Sequence, residues 1–484
     1  MFGSENQFPE GCNSDENIVD IDTNYRRSGN DLTGSPELSS SSSPINEINN
    51  GSSAVQRFIL IILLRAGFLL IHIGSIPVTN INLILLQNII DICWISIVYL
   101  FIGSMIAYTD DIGGLLGGGY WIDNDKINKE QIIFGWQGII ISSAIYTSCV
   151  AGRIHSIGTL IIGMFLSGII QPFIIHWIWT NDGWMSKNKL FDKDVVFHDR
   201  GGSIVSTIGG VVGIIGCIIL GKRIMRVDDI DDASMTTQSV TTNFLGYLFV
   251  VIGLQSLWIS NSTGYNTELS DKQLYQVMMN IIISISACTI VVTGIHFFKN
   301  EPFNRWTVTR CVQATVGGVV IISAGADLYS PTVALVIGTI GGLLFYYITK
   351  ILFKSQLEDY CNAVTTHFIC GFIGCLIVPF FNSTGDNFSY ESVAYNFIWQ
   401  LLCLIVIIGA IVVIMIPVFL TLDHFGLLRN KPEVLNYLRS QEAQASQNIG
   451  PPRSIIKKFF FPNDETTLIQ SGRLPNDVVS SNSV

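Results

Sequence analysis

Between Arg57 and Leu422 the chain alternates long apolar runs with short polar stretches. A helix needs about 20 mainly apolar residues to cross a hydrocarbon layer of about 30 Å. Runs of that length lie near 57–76, 83–107, 132–150, 155–179, 202–221, 241–259, 275–298, 308–326, 331–353, 361–381 and 396–422. They predict an all-α polytopic membrane protein of about eleven transmembrane helices. The longer connections, 108–131, 180–201 and 260–274, are rich in Gly, Asn and Asp. Two runs are irregular. The first carries Arg65 near its middle, and the tenth is broken by Thr365, Thr366 and His367.

Composition agrees. Of 484 residues, 49% are hydrophobic and 13% charged, against roughly 25% charged in soluble proteins. The net charge of −10 sits largely in tails and loops. No basic stripe is present, which argues against a nucleic-acid partner. The ten cysteines are scattered, mostly in apolar runs, without metal-finger spacing. They read as small buried hydrophobes, and no metal or other cofactor is expected. The first 56 residues are polar, with a serine run at Ser39–Ser43 and no signal-peptide pattern. Three regions result: a disordered tail at 1–56, a transmembrane domain at 57–422 and a cytoplasmic tail at 423–484. Within the last, His424–Ala443 has the apolar spacing of a short amphipathic helix from about Pro432.

Eleven spans put the termini on opposite sides. The sequons at Asn50, Asn261, Asn382 and Asn387 share one side if the N-terminus is outside, which makes Asn261, Asn382 and Asn387 glycosylation candidates. Lys222, Arg223, Arg226, Lys299, Arg305, Lys354, Arg429 and Lys431 then face the cytoplasm. Lys187, Lys189, Lys193 and Arg200 run against that bias. A plasma or endosomal-type membrane with the N-terminus outside is expected. Spans one to five and six to ten read as inverted five-helix repeats, with one additional helix. Each half carries a histidine at its fifth span, His198 and His367, with a glycine four residues later, Gly202 and Gly371.

Ionisable groups within spans are costly and mark functional hypotheses. An imidazole pair at His198 and His367 suits proton handling near neutral pH. Arg65 needs a partner, and Asp91 is one choice; Asp91 by itself reads as a helix-packing hydrogen bond. His72, His176 and His296 lie near span ends and read as interfacial. Trp177, Trp179 and Trp184 read either as an aromatic belt or as a cation–π wall at a pore mouth. The Gly113–Gly119 stretch reads as a loop rather than a nucleotide cradle.

Several motifs, in order, resemble the ammonium transporter/methylammonium permease/Rh superfamily, Amt branch. They are GFLLIHIGS (Gly67–Ser75) followed by Asn82, Asn88 and Asp91; HWIWTNDGW (His176–Trp184); VVFHDRGG (Val195–Gly202) with LGKR (Leu220–Arg223); Val316–Gly342; and EDYCNAVTTHFICGFIG (Glu358–Gly374). The resemblance implies a homotrimer with one narrow hydrophobic path per subunit. It implies transport of ammonium, ammonia or a related small amine, and no enzyme activity. It carries the pore histidines over to His198 and His367, the pore-mouth tryptophan to Trp179 and a supporting carboxylate to Asp359. This chain also departs from the pattern. The outer phenylalanines fall near Ile140 and on Leu257, and the recruitment serine on Asn261. The carboxylate before the first histidine falls on Leu190, with Asp192 as a substitute. A second carboxylate is Asn362, and a glutamate after span three is Gly152. Asp199 and Arg200 stand where the family is uncharged. The alternative reading is a non-conducting ammonium sensor or a regulatory subunit of a mixed trimer.

Overall fold

Eleven helical segments follow the order of the apolar runs: α1 (Ala54–Ser75), α2 (Ile81–Tyr108), α3 (Lys129–Val150), α4 (Ser156–Trp179), α5 (Ser203–Leu220), α6 (Val240–Leu257), α7 (Lys272–Phe298), α8 (Arg305–Ile322), α9 (Pro331–Lys354), α10 (Val364–Phe380) and α11 (Tyr390–His424). The computed structural model describes residues 44–75, 81–119, 121–122, 124, 128–221, 238–258, 271–302, 304–355, 357–381 and 389–430. The sequons at Asn261, Asn382 and Asn387, most of both tails and the amphipathic segment from Pro432 lie outside the described residues. Nine of the helices are long and apolar enough to cross a membrane. The other two are α8, which opens with Arg305 and Arg310, and the shorter α10. For this multi-pass chain, the N-face is where odd-numbered helices begin and the C-face is where they end.

Apolarity makes the helices, and polar caps set where several of them start. Asn128 accepts from Glu130 N at 2.9 Å to open α3, and Asn304 accepts from Thr307 N at 2.9 Å to open α8. Three helices contain a π turn: Tyr99–Gly103 in α2, Leu166–Ile170 in α4 and Val364–Ile369 in α10. The last of these is the stretch that interrupts the tenth apolar run. A π turn holds one extra residue, and such turns gather at functional sites.

Helices with the same number in the two halves cross closely. In α1 and α6, a Cβ on Gly67 would lie 2.7 Å from Gly246 O, and one on Gly246 would lie 2.8 Å from Gly67 O. In α5 and α10, a Cβ on Gly210 would lie 2.5 Å from the Phe368 side chain, and one on Gly371 2.7 Å from Ser203 O. Only glycine permits such approach, which is how membrane helices pack without a hydrophobic driving force. This pairing of first with first and fifth with fifth is the one that two inverted five-helix repeats plus an additional α11 call for.

Several polar groups inside the bundle are paired across helices. Arg65 of α1 forms an ion pair with Asp91 of α2, and Ser143 of α3 donates to the same carboxylate oxygen at 2.6 Å. An unpaired arginine at a span centre costs about 2.5–3.5 kcal/mol on insertion scales, so the pairing explains how α1 tolerates it. His72 is not interfacial. It is buried between helices, with Nε2 2.8 Å from Ser148 Oγ and Nδ1 3.4 Å from Asn88 Nδ2.

After α11 the chain turns back onto the C-face. His155 N donates to Leu428 O at 2.9 Å, and Asn430 N donates to Arg153 O at 2.8 Å. Arg429 donates to Leu220 O, the end of α5. Arg153 donates to Gly221 O at 2.5 Å and to Glu358 O at 2.8 Å. The ends of α3 and α5, the start of α10 and the segment after α11 are thereby tied together.

Candidate functional site

On the N-face, α4 ends in the aromatic run His176–Trp179. His176 ties it down, its ring nitrogens 3.0 Å from Ala107 O and 3.0 Å from Asp111 Oδ1. Trp177 donates to Leu115 O at 2.7 Å and packs edge-on to Trp184. Trp179 is 2% exposed, so it is no member of an interfacial belt. Its ring meets Phe134 of α3 at 4.7 Å, and its Nε1 donates to Asp199 O at 3.1 Å. Next to it, Gly138 leaves room: a Cβ there would sit 3.6 Å from the Trp179 ring and 3.0 Å from Gln171 Nε2.

From Trp179 an apolar seam runs down between α4 and α5, lined by Gln171, Ile174, Ile178, Val205 and Ile208 and too tight to admit a water. Gln171 is fully buried, and neither of its amide atoms has a partner among the described residues. A buried amide without a partner is costly, so this group is a candidate to meet a polar species in the seam. Nothing in the hydropathy pattern distinguishes Gln171; its missing hydrogen bonds are what reveal it. Ile140 and Leu257, the counted gate positions, are both buried, and Leu257 packs over Gly202. On α3, Phe134 and Gly138 lie beside Trp179.

His198 stands outside α5, in the extended segment that leads into it. Gln400 of α11 clamps its backbone: His198 N donates to Oε1 at 3.1 Å, and Nε2 donates to His198 O at 2.9 Å. The His198 ring faces Asp327, with Nε2 3.4 Å from Oδ1, while Arg200 lies 3.5 Å from the other oxygen. Burial alone would raise the Asp327 carboxyl; His198 and Arg200 instead hold it below the usual carboxylate range. Asp199 is the carboxylate that opens α5. Its oxygens accept from Ser203 N at 2.8 Å and Ile204 N at 3.1 Å. Burial pushes its carboxyl up to about 6 against the pull of those amides. Gly202 at φ 78° provides the left-handed turn between cap and helix.

The π turn of α10 carries His367, which is 2% exposed. Its Nδ1 lies 3.4 Å from Ser206 Oγ of α5, and its ring meets Phe68 of α1 at 5.8 Å. The structure sets His367 against a hydroxyl and His198 against a carboxylate on the N-face. The reason is local: the chain reaches the start of α5 only after His198, and Ser206 lies on the side of α5 that meets α10, with Ser203 and Gly210.

The carboxylate substitute also changes. Asp192 sits at the exposed tip of a hairpin between β1 (Asn188–Leu190) and β2 (Lys193–Val195), with φ 63°. Asp199 fills the buried place instead. Before α10, Asp359 accepts from Val364 N at 2.7 Å and so repeats the Asp199 cap at the opposite face. Burial pushes its carboxyl up to about 6 as well. Asn362 is buried and knits three helices, donating to Gln313 Oε1 at 3.1 Å and Thr349 Oγ1 at 3.0 Å and accepting from Thr365 at 2.8 Å. A neutral amide suits this shared hydrogen-bond site better than a carboxylate. Among the described residues no cluster of side chains has a metal-binding arrangement.

Comparison with known proteins agrees with this architecture. A family model described as Ammonium Transporter Family matches residues 54–437. Ammonium transporter 1 member 2 of Oryza sativa subsp. japonica is 24% identical, covering 74% of this chain and 78% of that one. Ammonium transporter 1 member 1 of Arabidopsis thaliana is 25% identical, covering 64% of each chain. Among solved structures, a Sensor Amt Protein superposes with a TM-score of 0.68 at 21% identity, covering 81% of this chain and 97% of that one. Saccharomyces cerevisiae Mep2 superposes with a TM-score of 0.63 at 17% identity, covering 82% and 94%.

Proposed function

The chain belongs to the Ammonium Transporter Family, a family of membrane transporters and not of enzymes, and from that premise we propose a path for its substrate and a role for each residue along it. The path enters on the N-face beside Trp179, passes Gln171 in the apolar seam, and reaches His367 and Ser206 where α5 and α10 cross. The observation that carries this reading is the contact of His367 with Ser206, which stands on α5 between the seam residues Val205 and Ile208. A bare cation in such a seam is prohibitively costly. Ammonium therefore sheds its proton or is relayed by polar groups. His367 is the imidazole on this path, and Ser206 is its hydroxyl partner. His198 acts at the mouth, held by Asp327.

The proposed assembly is a homotrimer with the N-terminus outside and the C-terminus cytoplasmic, in a plasma or endosomal-type membrane. The path is tested by uptake of radiolabelled methylamine into cells lacking their own ammonium transporters. Saturable uptake that ammonium competes away is the expected result; its absence at verified surface expression rejects the conducting reading. One observation favours the alternative, a sensor or a regulatory subunit: the seam is too tight to admit a water. In that case ammonium binds without flux, and binding alone shifts the thermal midpoint of the purified protein.

A further inference from the structure

A second site lies away from the path. On the C-face, α7 and α9 end beside the start of α8 and enclose a cavity of about 150 Å³. That is several times the roughly 30 Å³ that one water occupies in the liquid. Its charged lining is Arg310, Lys350 and Lys354 against one carboxylate, Glu301. Both Glu301 oxygens are already engaged: Oε2 is 2.5 Å from His296 Nδ1, and Oε1 accepts from Tyr346 at 3.0 Å and lies 3.8 Å from Lys350 Nζ. These neighbours hold the Glu301 carboxyl below its usual range despite partial burial. Three cations against one ionised carboxylate leave a surplus of two positive charges.

Two further observations show that the surplus is not consumed internally. Among the described residues, neither Arg310 nor Lys354 has a carboxylate partner; Arg310 lies over the Phe353 ring at 4.7 Å. His296, 1% exposed, lines the same cavity, and its Nε2 has no hydrogen-bond partner. The walls are amphipathic. Phe345 and Tyr346 form the inner side, and Phe353, 68% exposed, stands at the rim. We propose that this cavity binds a phosphate group presented at the membrane surface. Arginine and lysine recognise phosphate oxygens, and basic pockets between helices at this depth suit anionic headgroups. The exposed aromatic rim adds a surface on which acyl chains lie. The same chemistry accepts a lipid headgroup or free phosphate.

The test uses the purified full chain in detergent, titrated with mixed micelles containing phosphatidic acid or phosphatidylcholine, and separately with inorganic phosphate. Phosphatidic acid should bind saturably and tighter than phosphatidylcholine. A Lys or Arg near an anionic surface contributes about 1 kcal/mol, so Lys350→Gln should weaken binding about five-fold and Lys350→Gln with Lys354→Gln about 25-fold. Lys189→Gln, on the N-face hairpin, should change nothing. Millimolar inorganic phosphate that binds alone with the same variant dependence identifies a free anion as the ligand; lipid binding that phosphate does not displace identifies the headgroup. The proposal fails if neither phosphate source binds better than phosphatidylcholine. It also fails if the double variant, with an unchanged elution profile, binds as tightly as the wild type.

Discussion

His367 Nδ1 and Ser206 Oγ lie 3.4 Å apart where the fifth helices of the two halves cross. A hydroxyl of α5 therefore stands beside the imidazole at this level of the proposed path. His367→Ala should lower methylamine uptake on the order of 100-fold, the lower end of what a positioned proton-handling group supplies. His198→Ala should cost far less, because its ring faces Asp327 at the mouth. Uptake at matched surface expression checks this; equal losses in the two variants would return His198 to the path.

Gln171 gives a prediction in which stability and transport move in opposite directions. Replacing a buried, unpartnered amide with an apolar side chain removes a cost of about 1–3 kcal/mol. Gln171→Leu should therefore hold or raise the thermal midpoint while lowering uptake. A variant that is less stable yet transports normally would show that the amide is satisfied in the membrane and has no part in the path.

The Arg65–Asp91 pair should behave as a unit. Removing one partner strands the other as a buried charge, at about 3–5 kcal/mol. Asp91→Leu alone should abolish surface expression or sharply lower the thermal midpoint. Arg65→Met with Asp91→Leu should recover most of the loss. Failure of the double variant to recover would mean that Ser143 or another neighbour depends on the charge itself.

Asp199 and Asp359 set a pH dependence. Burial pushes both carboxyls up to about 6. A carboxyl whose folded value is raised binds more protons in the folded than in the unfolded state. Its contribution is complete below the unfolded value near 4 and is lost as pH rises through 6. The thermal midpoint in detergent should thus fall between about pH 4 and pH 6.5. Asp199→Asn with Asp359→Asn should flatten that part of the curve, and a slope unchanged by the double substitution would reject the assignment.

The docking of residues 428–430 predicts a long-range effect. Arg429→Ala removes a donor from Leu220 O, the end of α5. Uptake should change with little loss of expression, since the side chain is only part-buried at the C-face and the lost bond is to a backbone carbonyl. Truncation after Ala443 should leave uptake intact, whereas truncation after Leu422 should reproduce or exceed the Arg429 effect. Three equal activities would separate this segment from transport.

What could be read from the sequence follows from what each signal measures. Apolar run length measures solvent, and it located all eleven helices. Charge in lipid demands a partner, and Arg65 pointed correctly to Asp91. A histidine is conspicuous in an apolar run, but its position along the chain does not say which way the backbone carries it. His198 precedes the left-handed turn at Gly202 and so stays at the mouth, while Ser206, unremarkable by composition, reaches His367. Asp192 and Asp199 are equally visible as letters. A two-residue hairpin turn exposes the first, and two amides of α5 bury the second. Gln171 sends no sequence signal, because a lone glutamine in a span becomes informative only once its partners can be counted.

The π turn at Val364–Ile369 fixes the aim of everything beyond it. One extra residue in a helix of 3.6 residues per turn advances the phase of the following side chains by about 100°. His367 can therefore look toward α5 while Gly374, farther along, presents its bare backbone to Ile321 of α8. A purely α-helical α10 could satisfy one of these directions but not both. Deleting a single residue within the turn would leave the backbone fully hydrogen-bonded, yet swing either the imidazole or the glycine seam onto a different neighbour. The turn acts as a fixed angular offset between two functions of one helix, and such a deletion would be felt as misalignment rather than as unfolding.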